Sequence, residues 1–291
     1  MKCLFPLTIR APDSIVTRYR LFKLGMIASP QSKVMQVPCG KCLYCLSRRS
    51  LDWQIRLKEE LRHSSSAWFI TLTYADGCRP LNKSGIECVS KLDVQRWMKR
   101  LRKAVFPAKV RYFLISEYSP TNHHPHYHLI LFNFPSDKDI YNIVVKTWRF
   151  GFVMADAVNN NRIAYVANYC LGPFMGNVPE GASKNFTLMS RRPAIGNAYL
   201  TDKMAKYHHD GVKVYYRENG KKTHLPRYYR DRLFTSSEII RANALYNSKD
   251  LSNGTSTDDI QKCYKEEMDA MSVYERDLKK SFEHYKHKLL K

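Results

Sequence analysis

No apolar run in the sequence approaches the roughly 20 residues that a membrane-spanning helix needs. The opening stretch, MKCLFPLTIRAPDS, also lacks the extended apolar core of a secretory leader. The expectation is a cytosolic protein that does not engage a membrane. Acidic residues are scarce too: 26 Asp and Glu face 48 Lys and Arg, for a formal net charge of +22. An excess of that size repels itself and does nothing for folding. It points to a polyanionic partner, nucleic acid ahead of an anionic lipid surface. The sequence has no glycine-rich phosphate loop of the Walker type, which argues against a built-in helicase, and no internal repeat. Its 291 residues are 44% hydrophobic, enough for one large domain or two modest ones with a real core. Eight cysteines in a reducing compartment read as thiols or metal ligands rather than disulfides.

Residues 1–46 are loop-rich, punctuated by Pro6, Pro12, Pro30 and Pro38. Residues 47–63 read as a helix with Leu51, Trp53, Ile55 and Leu57 on an apolar side. WFITLTY (68–74) reads as a buried strand. A second helix spans about 90–105, opened by a capping box of Ser90 and Asp93, with Val94, Trp97, Met98, Leu101 and Val105 on one face. KVRYFLISEY (109–118) and HYHLILFNF (126–134) are strands joined by the turn-rich SPTNHHP, which predicts an antiparallel hairpin. A helix over about 136–148, a strand over 151–158 and a helix over 161–171 follow. Hairpin-linked strands with helices packed on the sheet predict an α+β fold with a central antiparallel sheet. Further on, KVYYRENGKKTHLPRYYR predicts a hairpin around Asn219-Gly220. The expected division is a Cys-rich segment with a helix (1–63), a core (64–175), a basic aromatic accessory region (176–235) and a polar helical tail (236–291).

Three groups of side chains carry the chemistry. In HHPHYHLILFNF (123–134), alternation puts His126 and His128 on one face of a strand, with Tyr127 pointing away. Two imidazoles on one face can share a divalent ion. Glu117 flanks the same turn on the preceding strand and can add a carboxylate oxygen. In YVANY (165–169), Tyr165 and Tyr169 are four apart and stack along one helix face. Such a pair is equally compatible with packing, and a phenol is a poor nucleophile at neutral pH, although it can attack a phosphodiester held by a metal and basic groups.

CGKCLYC places Cys39, Cys42 and Cys45 at knuckle spacing, with Cys3 available as a fourth ligand if the amino terminus folds back. Structural Zn²⁺ is the reading preferred here. An iron–sulfur cluster and free thiols are the alternatives, and the cysteine that a ferredoxin-type run would place four residues on is Arg49. The basic residues fall in dense stretches: Arg48 and Arg49 with Arg56 and Lys58, then Lys99, Arg100, Arg102 and Lys103, then Arg191, Arg192, Arg227, Arg230 and Arg232. Tyr228, Tyr229 and Phe234 offer rings among them for unstacked bases. Strongly salt-dependent binding to single strands or a hairpin is expected.

FITLTY (69–74), HYHLILF (126–132) with Glu117 upstream, and YVANY (165–169) resemble, in order, the three motifs of the HUH endonucleases, the initiators of rolling-circle replication. The likeness is strongest to the initiators of gokushovirus-type Microviridae phages. It takes in VPCGKCLYC (37–45), DVQRWMKRLRK (93–103), SRRPAIG (190–196) and LPRYYRDRLF (225–234), and covers roughly residues 1–235. The resemblance implies a ferredoxin- or RRM-like palm, Mg²⁺ or Mn²⁺ on His126, His128 and Glu117, and Tyr165 and Tyr169 as nucleophiles. These would nick single-stranded origin DNA and religate it through a 5′-phosphotyrosine. It also implies work in the cytoplasm of a host bacterium beside host replication proteins such as a helicase and a polymerase. One position departs from the pattern: many members carry lysine three residues after the first tyrosine, where this chain has Asn168, so Arg162 is the candidate to supply that charge. Two other readings fit parts of the sequence. A single-tyrosine transposase shares the chemistry but has no need of the second phenol. A non-catalytic zinc-knuckle nucleic-acid binder has no use for His126, His128 and Glu117.

Overall fold

The computed structural model of the chain describes residues 3, 5–13, 18, 21–22, 27–169, 178–235 and 238–239. The chain divides into two compact units: residues 1–45, 209–214 and 234–291 make one, and residues 46–208 and 215–233 the other. Apart from residues 238 and 239, the expected helical tail at 236–291 lies outside the described residues. No helix among the described residues is long and apolar enough to cross a membrane.

The first unit is more ordered than its prolines suggest. Strand β1 (Leu7–Arg10) pairs antiparallel with β2 (Val34–Val37), in register from Leu7 opposite Val37 to Arg10 opposite Val34. Pro6, Pro12 and Pro38 stand just outside these strands, where a missing N–H costs the ladder nothing. Ala11, Ile27 and Met35 form a small core beside them.

Helix α1 (Leu43–Arg62) leads into the larger unit. There follow β3 (Ala67–Thr73), α2 (Lys91–Ala104), β4 (Arg111–Tyr118), β5 (Pro125–Phe132), α3 (Ile140–Trp148), β6 (Val153–Ala157), α4 (Asn160–Asn168) and β7 (Thr187–Met189). Beyond them come α5 (Asp202–His209), the hairpin β8 (Tyr215–Glu218) and β9 (Lys221–His224), and α6 (Arg227–Leu233). The Asn219-Gly220 turn has positive φ at both residues (48° and 79°), the backbone that a two-residue hairpin demands. The central sheet runs β6-β3-β5-β4-β7 and is antiparallel throughout. The fold is therefore α+β with a five-stranded antiparallel sheet, as the sequence predicts. The exception is β7, a three-residue strand that sequence reading does not anticipate, which pairs with β4 at the sheet edge.

Alternation along the strands sends side chains to two layers. Ile70, Leu72, Leu114, Tyr127, Leu129 and Leu131 pack against Val94, Trp97, Met98 and Leu101 of α2 and against Ile140, Val144 and Trp148 of α3. Phe113, Ile115, Ile130 and Phe132 point the other way, against Leu57 of α1 and Ile163, Val166 and Ala167 of α4. Ser90 caps α2 by accepting from the Asp93 N–H at 3.2 Å, as its capping box predicts. Helix α3 starts four residues later than the predicted Ser136. Asp139 supplies the cap, accepting from the Asn142 N–H at 3.1 Å, and Pro135 to Lys138 close a turn ahead of it. Between α3 and β6, Gly151 has no alternative: a Cβ there would lie 2.3 Å from the Ala75 nitrogen and 2.4 Å from the Thr73 oxygen. That close approach lays Phe152 beside Thr73, with backbone hydrogen bonds of 2.9 Å in both directions.

Candidate active site

The β4–β5 register sets Glu117 opposite His126 and Ile115 opposite His128, while β3 sets Thr73 opposite His126 and Thr71 opposite His128. All share the face covered by α1 and α4. The hairpin thus brings Glu117, His126 and His128 together as expected. Each offers one ligand atom, and the three atoms lie within 4.8 Å of one another. Glu117 Oε2 is 3.4 Å from Nε2 of both imidazoles. The far nitrogens are held: His126 Nδ1 meets the His124 carbonyl at 3.1 Å, and His128 Nδ1 meets Thr71 Oγ1 at 2.9 Å. With Nδ1 so engaged on each ring, both Nε2 atoms turn toward the carboxylate, the outer support that metal-binding imidazoles commonly have. Phe69, one turn of the strand pleat away, stacks on His128 at 5.5 Å with the rings 16° apart. Sequence reading does not single out Thr71 or Phe69. They were legible as the same-face partners of Thr73 within FITLTY.

Helix α4 supplies the phenols. Asn159 caps it, accepting from the Arg162 N–H at 2.9 Å, and buried Ile163, Val166 and Ala167 seat it on the sheet. Tyr165 donates to Glu117 Oε2 at 2.9 Å, and its oxygen is 2.7 Å from that of Tyr169. All five sequence-predicted groups therefore meet at one place.

The electrostatics follow from the geometry. Burial pushes the Glu117 carboxyl up, but hydrogen bonds to His126 and His128 outweigh it and hold the group well below the usual carboxylate range. Burial lowers His128 against the pull of Glu117, which keeps this imidazole neutral and its lone pair available. Burial, then the neighbouring Glu117 charge, raises Tyr165. Burial, then Tyr165 and Glu117, raises Tyr169. Two nitrogens with free lone pairs beside an ionised carboxylate make a donor set suited to a divalent cation, so the residues present fit the implied ion.

Asn168 points away from this cluster and accepts from Ser50 Oγ of α1 at 2.7 Å. It ties α4 to α1 and faces no phosphate position. Arg162 pairs with Asp156 at 2.8 Å, hydrogen-bonds the Ala157 carbonyl and lies 5.3 Å from the Phe69 ring.

The other basic candidates are dispersed. Lys99, Arg102 and Lys103 ride on α2, in the layer opposite the histidines. Arg100 is half-buried and caps α3 through the Thr147 carbonyl at 2.8 Å. Arg227 and Arg230 both pair with Asp231, at 3.1 and 3.0 Å. Arg48 and Arg49 are exposed on α1. Tyr229 and Phe234, expected as base-stacking rings, are buried at 0% and 7% exposure. Tyr228 is clamped between the guanidinium groups of Arg56 (4.1 Å) and Arg232 (3.8 Å). The aromatic residues of this region serve packing, because α6 folds onto α1. Arg191 and Arg192 are exposed and join Arg102, Lys109 and Arg111 around an open cleft of about 710 Å³. Arg111 opens β4, so the cleft lies roughly 20 Å from Glu117 along the strand, at about 3.4 Å per residue.

In the other unit, Cys3 does fold back. The four sulfurs of Cys3, Cys39, Cys42 and Cys45 lie within 4.8 Å of one another, with Cys3 and Cys42 3.8 Å apart. That spacing matches the edge of a zinc–thiolate tetrahedron, about 3.8 Å for Zn–S bonds of about 2.3 Å. The N–H groups of Lys41 and Cys42 donate to Cys39 Sγ and bring its pKa down to about 6, whereas burial pushes Cys45 up to about 12.

The segment that holds the site also sets the class. Residues 67–172, which include Glu117, both histidines and both tyrosines, match the model of the family described as replication-associated protein ORF2. The chain is similar, more particularly, to replication-associated proteins of small phages. It is 35% identical over 107 residues to "Replication-associated protein ORF2" of Spiroplasma virus 4, covering 35% of this chain and 33% of that one. It is 25% identical over 220 residues to "Replication-associated protein ORF4" of Chlamydia phage 1 (68% and 53%), and 25% identical over 214 residues to "Replication-associated protein VP4" of Bdellovibrio phage phiMH2K (67% and 66%). The matches thus span between a third and about two thirds of those relatives' lengths. No solved structure matches the chain.

Proposed function

We propose that this chain is an HUH-type DNA nickase and ligase that initiates rolling-circle replication in the cytoplasm of a host bacterium, with residues 64–175 as its catalytic palm. The observation that carries this reading is the meeting of two imidazole Nε2 atoms, one carboxylate and two phenols at the end of a β-hairpin. Packing alone does not explain it, because an ionised carboxylate is costly to bury unless something there needs it. His126, His128 and Glu117 would hold Mg²⁺ or Mn²⁺, which when bound polarises the scissile phosphate. Tyr165 is the nucleophile: its oxygen forms a bond to phosphorus as the bond from phosphorus to the 3′ oxygen breaks. The result is a 5′-phosphotyrosine and a free 3′-hydroxyl able to prime synthesis. The phenolic proton already has an acceptor in Glu117 Oε2. Tyr169, within hydrogen-bond reach of Tyr165, is placed to take the second cut or to hold the reactant phenol in position. This pairing favours a two-tyrosine enzyme over a single-tyrosine transposase.

Positioning and charge stabilisation are most of what phosphoryl transfer asks of a protein. The basic cleft around Arg191 and Arg192 and the exposed basic residues of α1 and α2 would hold DNA backbone away from the cut. The four-cysteine cluster is read as structural zinc. Host helicase and polymerase are the expected partners at the exposed 3′ end. The direct test is incubation of labelled single-stranded DNA with and without Mn²⁺: a covalent protein–DNA adduct that requires both the metal and the tyrosines supports the proposal, and DNA binding with no adduct under any metal overturns it.

A further inference from the structure

The sheet row that holds the candidate site continues past it. Across the strands the ladder reads Phe152, Thr73, His126, Glu117, and in the adjacent row Met154, Thr71, His128, Ile115. Residues directly opposite one another project on the same face. Phe152 and Met154 therefore share the face of the imidazoles and stand two strands away, roughly 10 Å at about 4.8 Å per strand. Both are apolar and both are open to solvent, at 70% and 61% exposure. Helix α4 shields the rows below, where Phe69 lies under Arg162 and beside Tyr165, but not this corner. Between the exposed pair and the histidines lie only the short side chains of Thr71 and Thr73. The result is a shallow shelf, apolar on one side and reactive on the other. A free sheet edge normally carries charge or proline to discourage association. Two exposed apolar side chains on β6 and just before it, in register with the histidines, call for an occupant.

We infer that Phe152 and Met154 form a stacking platform for an unpaired base of single-stranded DNA flanking the scissile phosphate. A base has an apolar face that stacks on an aromatic ring without regard to sequence, and an unpaired strand leaving the reaction centre along the sheet carries its next base onto this shelf. Exposed Arg149, at the end of α3 three residues before Phe152, offers charge for the accompanying backbone. The inference rests on the nickase reading for the identity of the neighbouring phosphate, but the platform binds without cutting and can be tested apart from it.

The test uses the full chain in EDTA, so that no cleavage occurs, and follows fluorescence anisotropy of two labelled probes: an oligothymidylate and an abasic deoxyribose-phosphate oligomer of equal length. Phe152→Ala/Met154→Ala should weaken oligothymidylate binding about tenfold, which is the stacking of one base, and leave abasic binding unchanged. Phe152→Trp should keep the affinity, and its added fluorescence should be quenched by oligothymidylate alone. Three results overturn the platform: unchanged oligothymidylate affinity in the double variant, an equal loss on both probes, or a wild-type dimer that the double variant dissociates, which would make this edge an interface between copies. Adduct formation is measured separately on the wild-type chain with Mn²⁺. An absent adduct with the base-dependent loss intact overturns the nickase reading and not the platform, and the reverse pattern overturns the platform alone.

Discussion

Tyr165 on a helix donates its hydroxyl to Glu117 on a strand at 2.9 Å, and the accepting oxygen is the one that lies 3.4 Å from both imidazoles. One carboxylate oxygen thus joins the metal-ligating side of the site to its phenolic side. The sheet fixes Glu117 against His126 by register, and α4 fixes Tyr165 against Glu117 by burying Ile163, Val166 and Ala167. The two halves are brought together by packing that lies outside the site itself.

The Thr71 hydroxyl orients the His128 ring, so its loss should be felt at the ion. Thr71→Val removes the hydrogen bond to Nδ1 while keeping the side chain's shape. Mn²⁺ affinity, followed by calorimetry, should fall about 10- to 100-fold, and His128→Ala should remove measurable binding. Unchanged affinity in Thr71→Val would show that the ring needs no such support.

The cysteine cluster should carry a single zinc per purified chain by elemental analysis. Cys42→Ser should lose it, and a strong chelator should lower the melting temperature of the wild type but not of the variant, since a bound metal stabilises only the folded state. Iron in place of zinc, or a melting temperature indifferent to the chelator, would contradict the assignment.

Gly196 holds a left-handed backbone (φ 75°) against α1, and a Cβ there would lie 2.5 Å from the Tyr229 hydroxyl and 2.7 Å from the Arg56 carbonyl oxygen. Its N–H donates to buried Glu60 at 2.7 Å, and its carbonyl accepts from Tyr229 at 2.8 Å. Gly196→Ala combines backbone strain with overpacking and should cost about 2–4 kcal/mol in denaturant unfolding. Gly211→Ala, equally left-handed but with nothing within 4 Å of its added Cβ, should cost less because strain acts there alone.

The buried phenols of Tyr199, Tyr216 and Tyr229 are all raised above 10, by burial first and then by the charge of Glu59. A group whose pKa is higher folded than unfolded contributes stability that is complete below its unfolded value and is lost as pH rises beyond it. The melting temperature should therefore hold level up to about pH 10 and fall above it. The phenolate absorbance of these residues should appear together with unfolding. Tyr216→Phe should soften the decline, and phenols that ionise with the fold intact would contradict the reading.

The histidine hairpin was legible because a period-two pattern and a short turn-rich connection leave one register, and that register alone places Glu117 beside His126. The helix of YVANY was legible from its four-residue spacing. Other features depend on partners distant in sequence. Asn168 reads as a substitute for a phosphate-facing lysine until Ser50 claims it. Arg100 and Tyr229 read as nucleic-acid contacts until α3 and α1 bury them, because a basic or aromatic residue carries no local mark of which side of its helix is covered. Strand β7 is three residues long, too short for any period to show, and exists because the outer edge of β4 offers it hydrogen bonds. Phe152 went unnoticed for the same reason: its exposure is set by where α4 stops covering the sheet.

The central claim is that a phenol of α4 becomes covalently joined to DNA. Its most direct measurement is the retention of radiolabelled single-stranded phage-origin DNA on denatured protein after incubation with Mn²⁺, compared across the wild type, Tyr165→Phe, Tyr169→Phe and the double variant. The account predicts a labelled band for the wild type, reduced in at least one single variant and absent from the double variant, while native DNA binding persists in all four. A band that survives loss of both tyrosines would contradict it.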